Sequence, residues 1–153
     1  MAMPKRILLA EDSAPDVELT LAALAAHHLA NEVVVAHDGA EALDYLYRRG
    51  RFAGCADAPP VVVLLDLKMP KVDGLEVLRQ MKSDPALRRI PVVILTSSRE
   101  EQDVVRSYDL GVNAYVVKPV DFQKFVDSVK QLSCFWVLIN EPPPVSVPQP
   151  SSS

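Results

Sequence analysis

At 153 residues, with 49% hydrophobic and 24% charged side chains, the chain has the size and balance of one folded domain with its own core. A net charge of -4 argues against nucleic acid as a partner, and two cysteines, Cys55 and Cys134, imply no disulfide framework. No apolar stretch is long enough to span a bilayer and the opening Met-Ala-Met-Pro-Lys-Arg lacks a signal-peptide core, so the expected setting is the cytoplasm, without a membrane. The first short apolar run, Ile7 to Ala10, stops against Glu11-Asp12. Ser13-Ala14-Pro15-Asp16 then puts a proline where a first helical turn tolerates one, and Val17, Leu21 and Leu24 follow at helix spacing. Val33 to Ala36 leads to His37-Asp38, and Asp38 can cap a helix carrying Leu43 and Leu46. Val61 to Leu65 runs into Asp66, after which Asp73 can cap a helix whose apolar face holds Leu75, Leu78 and Met81. Val92 to Leu95 runs into Thr96. The segment Arg99 to Leu110 is acidic at its start, has Val104 and Val105 inside, and meets Gly111 as a C-terminal stop. Ala114 to Val117 runs into Lys118-Pro119, and Asp121 opens a fifth helix with Phe122, Phe125, Val126, Val129 and Leu132 on one face.

Short runs rich in β-branched residues that alternate with helical patterns predict an α/β fold of five βα units around a buried parallel sheet. Groups just past the carboxyl ends of such strands converge on one rim, where open α/β folds bind their ligands. Four of the runs stop at or beside a group able to handle phosphate or a divalent cation: Glu11-Asp12, Asp66, Thr96 and Lys118. Three carboxylates brought together cannot all ionise cheaply without a cation. An all-oxygen set suits Mg²⁺ or Mn²⁺ better than zinc, which prefers His or Cys. Taken singly, an Asp at a strand end is ordinarily a helix cap, a Thr a turn residue and a Lys a solvated cation. Those readings do not explain why all four strand ends carry matching groups.

Glu11-Asp12, Asp66-x-x-x-Pro70-x-x-Asp73-Gly74, Thr96-Ser97 and Lys118-Pro119, in that order, resemble the receiver domain of two-component response regulators over residues 5–132. The resemblance implies a doubly wound five-stranded sheet of flavodoxin-like order 2-1-3-4-5 with helices on both faces. It implies that Asp66 accepts a phosphoryl group from a sensor histidine kinase, so that the chain is a phosphoacceptor signalling protein rather than an enzyme. It assigns Mg²⁺ or Mn²⁺ to Asp12 and Asp66 directly, to Glu11 mainly through water, and to the backbone carbonyl of Lys68. Thr96, with Ser97, and Lys118 would hold the phosphate oxygens. Tyr115 would rotate behind Thr96 on phosphorylation, and a cis Lys118-Pro119 peptide would aim Lys118 into the pocket. The side chains of Lys68 and Ser98 would border the path of the hydrolytic water. Glu11 departs from the commoner Asp, and its extra methylene still reaches a metal-bound water.

Three further segments resemble the stand-alone regulators that work with bacterial phytochromes: the connection Arg48 to Pro60, the stretch Val104 to Leu110, and Phe135-Trp136. An apolar arm, residues 133–140, contains the uninterrupted run 134–139 and precedes a Pro/Ser-rich tail of low complexity, residues 141–153. An apolar strip holding Phe135 and Trp136 is expected to join two subunits into a homodimer, the alternative being that it folds onto its own subunit. No output domain is expected after residue 140, which leaves both a messenger and a phosphate sink or scaffold as readings. His27, His28 and His37 read as surface or loop residues. A haloacid-type phosphatase would need a second Asp where Lys68 stands. A flavodoxin-like cofactor carrier would need a hydroxyl- and glycine-rich loop where Glu11-Asp12-Ser13-Ala14-Pro15 stands.

Overall fold

The computed structural model describes residues 6–25, 33–54, 59–112 and 114–130. Among these, strands β1 (Ile7–Ala10), β2 (Val33–Ala36), β3 (Val62–Asp66), β4 (Val92–Thr96) and β5 (Ala114–Val117) alternate with helices α1 (Ala14–Ala25), α2 (Gly39–Tyr47), α3 (Gly74–Ser83), α4 (Arg99–Ser107) and α5 (Phe122–Val129). A short 3-10 turn, Gly50–Phe52, follows α2. Every strand pairing is parallel and the order is β2-β1-β3-β4-β5, the doubly wound arrangement expected from the sequence. Register sets Ala10 beside Ala36 and Leu65, Asp66 beside Leu95, and Thr96 beside Val117, so the strand ends line one rim.

The inner strands β1, β3 and β4 are buried along their whole length, which is why they read as unbroken apolar runs. Alternate side chains enter different cores. Leu8, Val63, Leu65 and Ile94 join Leu43, Leu46, Leu78 and Met81 on one face. Ile7, Leu9, Leu64 and Leu95 join Leu24, Phe125 and Val129 on the other.

All five helices begin on a side chain that accepts the backbone N–H three residues on: Ser13 from Asp16 at 3.4 Å, Asp38 from Glu41 at 2.8 Å, Asp73 from Glu76 at 3.0 Å, Ser98 from Glu101 at 3.3 Å and Asp121 from Lys124 at 2.8 Å. Glu41 and Glu101 reach back in turn to the N–H of the residue before the cap, His37 at 3.0 Å and Ser97 at 2.8 Å.

The structure departs from the sequence reading in detail. Asp66 and Thr96 are the last residues of their strands rather than the first beyond them. The buried row of α3 is Val77, Leu78 and Met81, with Leu75 only partly covered. Helix α4 stops at Ser107, three residues short of Leu110, because Asp109 turns into the left-handed region at φ 52°. Its Val105 is buried whereas Val104 is 52% exposed. No helix among the described residues is long and apolar enough to cross a membrane. Leu132, the arm 133–140 with Phe135 and Trp136, the tail 141–153, His27, His28, Cys55 and Cys134 lie outside the described residues.

Candidate functional site

β1 ends at Ala10 and delivers Glu11 into the rim, its N–H held by the Ala36 carbonyl at 2.9 Å. The Glu11 side chain is fully buried: one oxygen accepts the Ser13 N–H at 3.1 Å and the other meets Lys118 Nζ at 2.9 Å. Asp12, next in the chain, is exposed. Asp66 is 4% exposed, and one carboxylate oxygen from each of Glu11, Asp12 and Asp66 falls within 4.8 Å of the others. Lys118 stands over this group, with Nζ also 3.0 Å from Asp16 Oδ2 and 3.3 Å from Asp66 Oδ1. Its own N–H is anchored on the Thr96 carbonyl at 2.8 Å, and the Lys118-Pro119 peptide is cis, as the sequence resemblance implied.

One ammonium among so many carboxylates does not balance them. Burial is the largest influence on Asp66 and the Glu11 charge adds to it, so that despite Lys118 the carboxyl titrates at about 7. Burial alone would push the Lys118 ammonium down, but contacts with Glu11, Asp16 and Asp66 outweigh it and hold its proton more tightly than in an ordinary lysine. Thr96 is fully buried, and its Oγ1 has no hydrogen-bond partner among the described residues.

The loop between β3 and α3 is braced on both sides. Lys68 reaches across to α4, its Nζ 3.0 Å from Glu101 Oε2. Lys71 takes φ 68° at the centre of a γ-turn closed by the Val72 N–H on the Pro70 carbonyl at 2.8 Å, and its Nζ lies 3.4 Å from Asp38 Oδ2. The Glu41 N–H, with help from Lys71, holds the Asp38 carboxyl below the usual range although burial opposes them. Gly74 donates to the Leu67 carbonyl at 2.8 Å, and a Cβ there would run into the carbonyl oxygen of Asp66. Burial pushes the Glu101 carboxyl up, but the Ser97 N–H and Lys68 together bring it below the ordinary value. Tyr115 is half-buried; its hydroxyl donates to the Val112 carbonyl at 3.3 Å, and the Arg106 guanidinium lies 4.8 Å over its ring. Burial raises its phenol further than Arg106 lowers it.

Residues 7–130 match the response regulator receiver domain family. The chain belongs to this family. The receiver is 40% identical over 134 residues to the response regulator Rcp1 of Synechocystis sp., a match covering 88% of this chain and 90% of that protein. A structure of the Mn(2+)-bound form of Rcp1 superposes with a TM-score of 0.69 over 87% of this chain and 94% of that one, at 40% identity. The bacteriophytochrome response regulator AtBRR is 60% identical, with a TM-score of 0.85 over 92% of this chain and 100% of its own. The phosphorylated cyanobacterial phytochrome response regulator RcpA is 44% identical, with a TM-score of 0.70 over 89% of this chain and 95% of its own. The receiver is therefore a signalling protein whose relatives include phytochrome response regulators.

In this receiver the fold gathers the predicted residues Glu11, Asp12, Asp66 and Lys118 into one cluster. It places Thr96 one position beyond Leu95, the partner of Asp66 across the sheet. Lys68 and the Ser97 N–H stand at the rim, both engaged by Glu101, while Tyr115 is turned to Val112. Sequence reasoning missed Asp16 and Glu101. Both had a signal: Asp16 follows Asp12 by one helical turn, and Glu101 follows Ser98 at capping-box spacing.

Proposed function

We propose that this receiver is a phosphoacceptor in a two-component relay, with Asp66 as the residue that carries the phosphoryl group. The observation that carries this reading is the nearly buried Asp66 carboxylate, gathered with those of Glu11 and Asp12 and faced by Lys118 at 3.3 Å. An Asp66 oxygen attacks the phosphorus of a phosphohistidine on a sensor kinase. The new O–P bond forms as the P–N bond breaks, and the imidazole nitrogen keeps the electron pair and takes a proton from solvent.

Glu11, Asp12, Asp66 and the backbone carbonyl of Lys68 would hold Mg²⁺ or Mn²⁺. Two features fit a divalent cation: the donors are all oxygen, and burial together with the neighbouring Glu11 charge raises the Asp66 carboxyl to about 7 despite Lys118. When bound, the ion neutralises charge on the transferring phosphoryl oxygens. The chain's own residues supply the rest. Lys118 exchanges a carboxylate contact for a phosphate oxygen, a charge-assisted bond. Thr96 Oγ1 and the Ser97 N–H are donors for the other oxygens, and Tyr115 moves in behind Thr96 when that hydroxyl is drawn forward.

Similarity to AtBRR and RcpA supports a histidine kinase of the phytochrome class as the partner, acting in the cytoplasm. Residues 5–132 form the receiver, and the arm 133–140 with Phe135 and Trp136 pairs two copies, leaving the tail 141–153 outside the interface. The test is labelling: Asp66→Asn is expected to take up no phosphoryl group from acetyl phosphate or a phosphorylated phytochrome kinase while keeping the wild-type circular dichroism. Normal labelling of that variant would remove Asp66 from its role.

A further inference from the structure

Glu101 lies outside the acidic cluster, on the first turn of α4, yet it grips both loops that frame Asp66. Its Oε1 accepts the N–H of Ser97, the residue after Thr96, at 2.8 Å. Its Oε2 meets Nζ of Lys68, two positions after Asp66, at 3.0 Å. The Glu101 side chain is 13% exposed and stands on a helix start anchored by its backbone N–H on Ser98 Oγ at 3.3 Å, whereas the Lys68 side chain is 78% exposed. The anion is therefore the stationary partner and the lysine the movable one. Glu41 makes the matching contact with His37 at the start of α2, where its carboxylate also meets Arg51 at 3.1 Å. The device recurs, but only at α4 do its two donors border the Asp66 pocket.

We propose that Glu101 is a positioning residue that occupies the Ser97 N–H and Lys68 Nζ while Asp66 is unmodified, and that a phosphoryl group on Asp66 takes both donors over. A phosphoryl group offers three oxygens and nearly two negative charges, against one charge on a carboxylate, and so competes well for a mobile ammonium and a nearby N–H. Release of Glu101 changes the partners of the β3–α3 and β4–α4 loops in one event. The inference deepens the reading of Asp66 as phosphoacceptor and rests on it.

The test uses the full chain with Mg²⁺ and beryllofluoride as the phosphoryl mimic, following the ¹⁵N resonances of Thr96 and Ser97. Glu101→Gln keeps the shape and the acceptor but removes the charge. It is expected to bind beryllofluoride roughly three- to tenfold more tightly than wild type, the range open to a partly exposed ion pair. Its Ser97 resonance without ligand should lie part-way toward the bound position of wild type. Lys68→Ala should bind more weakly, and adding Glu101→Gln to it should recover little of the loss. If Glu101→Gln shows wild-type affinity and an unmoved Ser97 resonance, the inference fails even though Asp66 remains the acceptor. Weaker binding by Glu101→Ala beside wild-type binding by Glu101→Gln would reduce the contact to a helix cap and overturn it likewise. If wild type itself does not bind beryllofluoride, or Asp66→Asn binds it equally, the phosphoacceptor reading is what fails.

Discussion

The proposed role of Asp66 and its surroundings conflict at the level of a single side chain, since a phosphoacceptor must be ionised and this carboxyl is buried beside Glu11. With its carboxyl at about 7 against an ordinary 3.8, the folded chain holds a proton that the unfolded chain releases. The resulting stability is fully present below the ordinary carboxylate range and is lost as pH rises through about 7. The unfolding temperature of the metal-free protein is therefore expected to fall over that window, and Asp66→Asn should flatten the fall and melt higher than wild type at pH 8. Saturating Mg²⁺ should narrow the gap, because binding to the folded state stabilises it and offers the carboxylate a partner. Differential scanning fluorimetry across pH, with and without Mg²⁺, checks all of this; a wild-type curve parallel to that of Asp66→Asn would mean that Asp66 is ionised throughout. At this scale the site was partly legible. The residue types at four strand ends announced carboxylate, hydroxyl and ammonium chemistry, and spacing pointed to Asp16 and Glu101, but that Lys118 settles on the one and Lys68 on the other depends on where long side chains reach.

Among the elements, the β2–α2 and β3–α3 loops are locked backbone to backbone. A Cβ on Gly39 would occupy the position of the Val72 carbonyl oxygen, and Lys71 pairs with Asp38 across the same seam. Gly39→Ala must therefore displace the loop that follows Asp66. It should cost about 1–3 kcal/mol in urea unfolding, as overpacking does, and should slow labelling of Asp66 as well. Gly111→Ala is the contrasting case. Its φ of 78° disfavours a side chain but open space surrounds it, so about 1 kcal/mol should be lost with labelling unchanged. Equal effects from the two glycines would show that the Gly39 seam does not reach the site. Caps were the most readable punctuation, since Asp38, Asp73 and Asp121 each stood just ahead of an apolar periodic stretch. The end of α4 was not readable. Leu110 packs against the core as a helix residue would, but from a turn beyond the helix, and a hydrophobic pattern cannot tell those two ways of burying a leucine apart.

For the molecule as a whole, α/β alternation followed from the apolar runs and the strand order from the resemblance to receiver domains, while the arm 133–140 lies outside the described residues. The proposed interface has its own test. Removing residues 134–153, or combining Phe135→Ala with Trp136→Ala, should turn a dimer into a monomer in sedimentation, since losing a central aromatic commonly costs more than about 2 kcal/mol of association. Asp66 labelling should survive, because β1 to α5 are untouched. A monomeric wild type at tens of micromolar, with or without beryllofluoride, would end the dimer reading.

Burial of β1, β3 and β4 on both faces has a consequence for how the sheet finds its alignment. In a half-buried sheet, a slip of one residue turns the greasy side to water and is punished at once. Here a slip would only trade Leu8 for Leu9, Val63 for Leu64 and Ile94 for Leu95 between two equally dry compartments. What a slip of β1 would do is carry Glu11 out of reach of Lys118, and an uncompensated buried polar group costs several kcal/mol. The contact between Glu11 and Lys118 thus favours the native alignment of β1, since a slipped strand would leave a buried carboxylate without its ammonium.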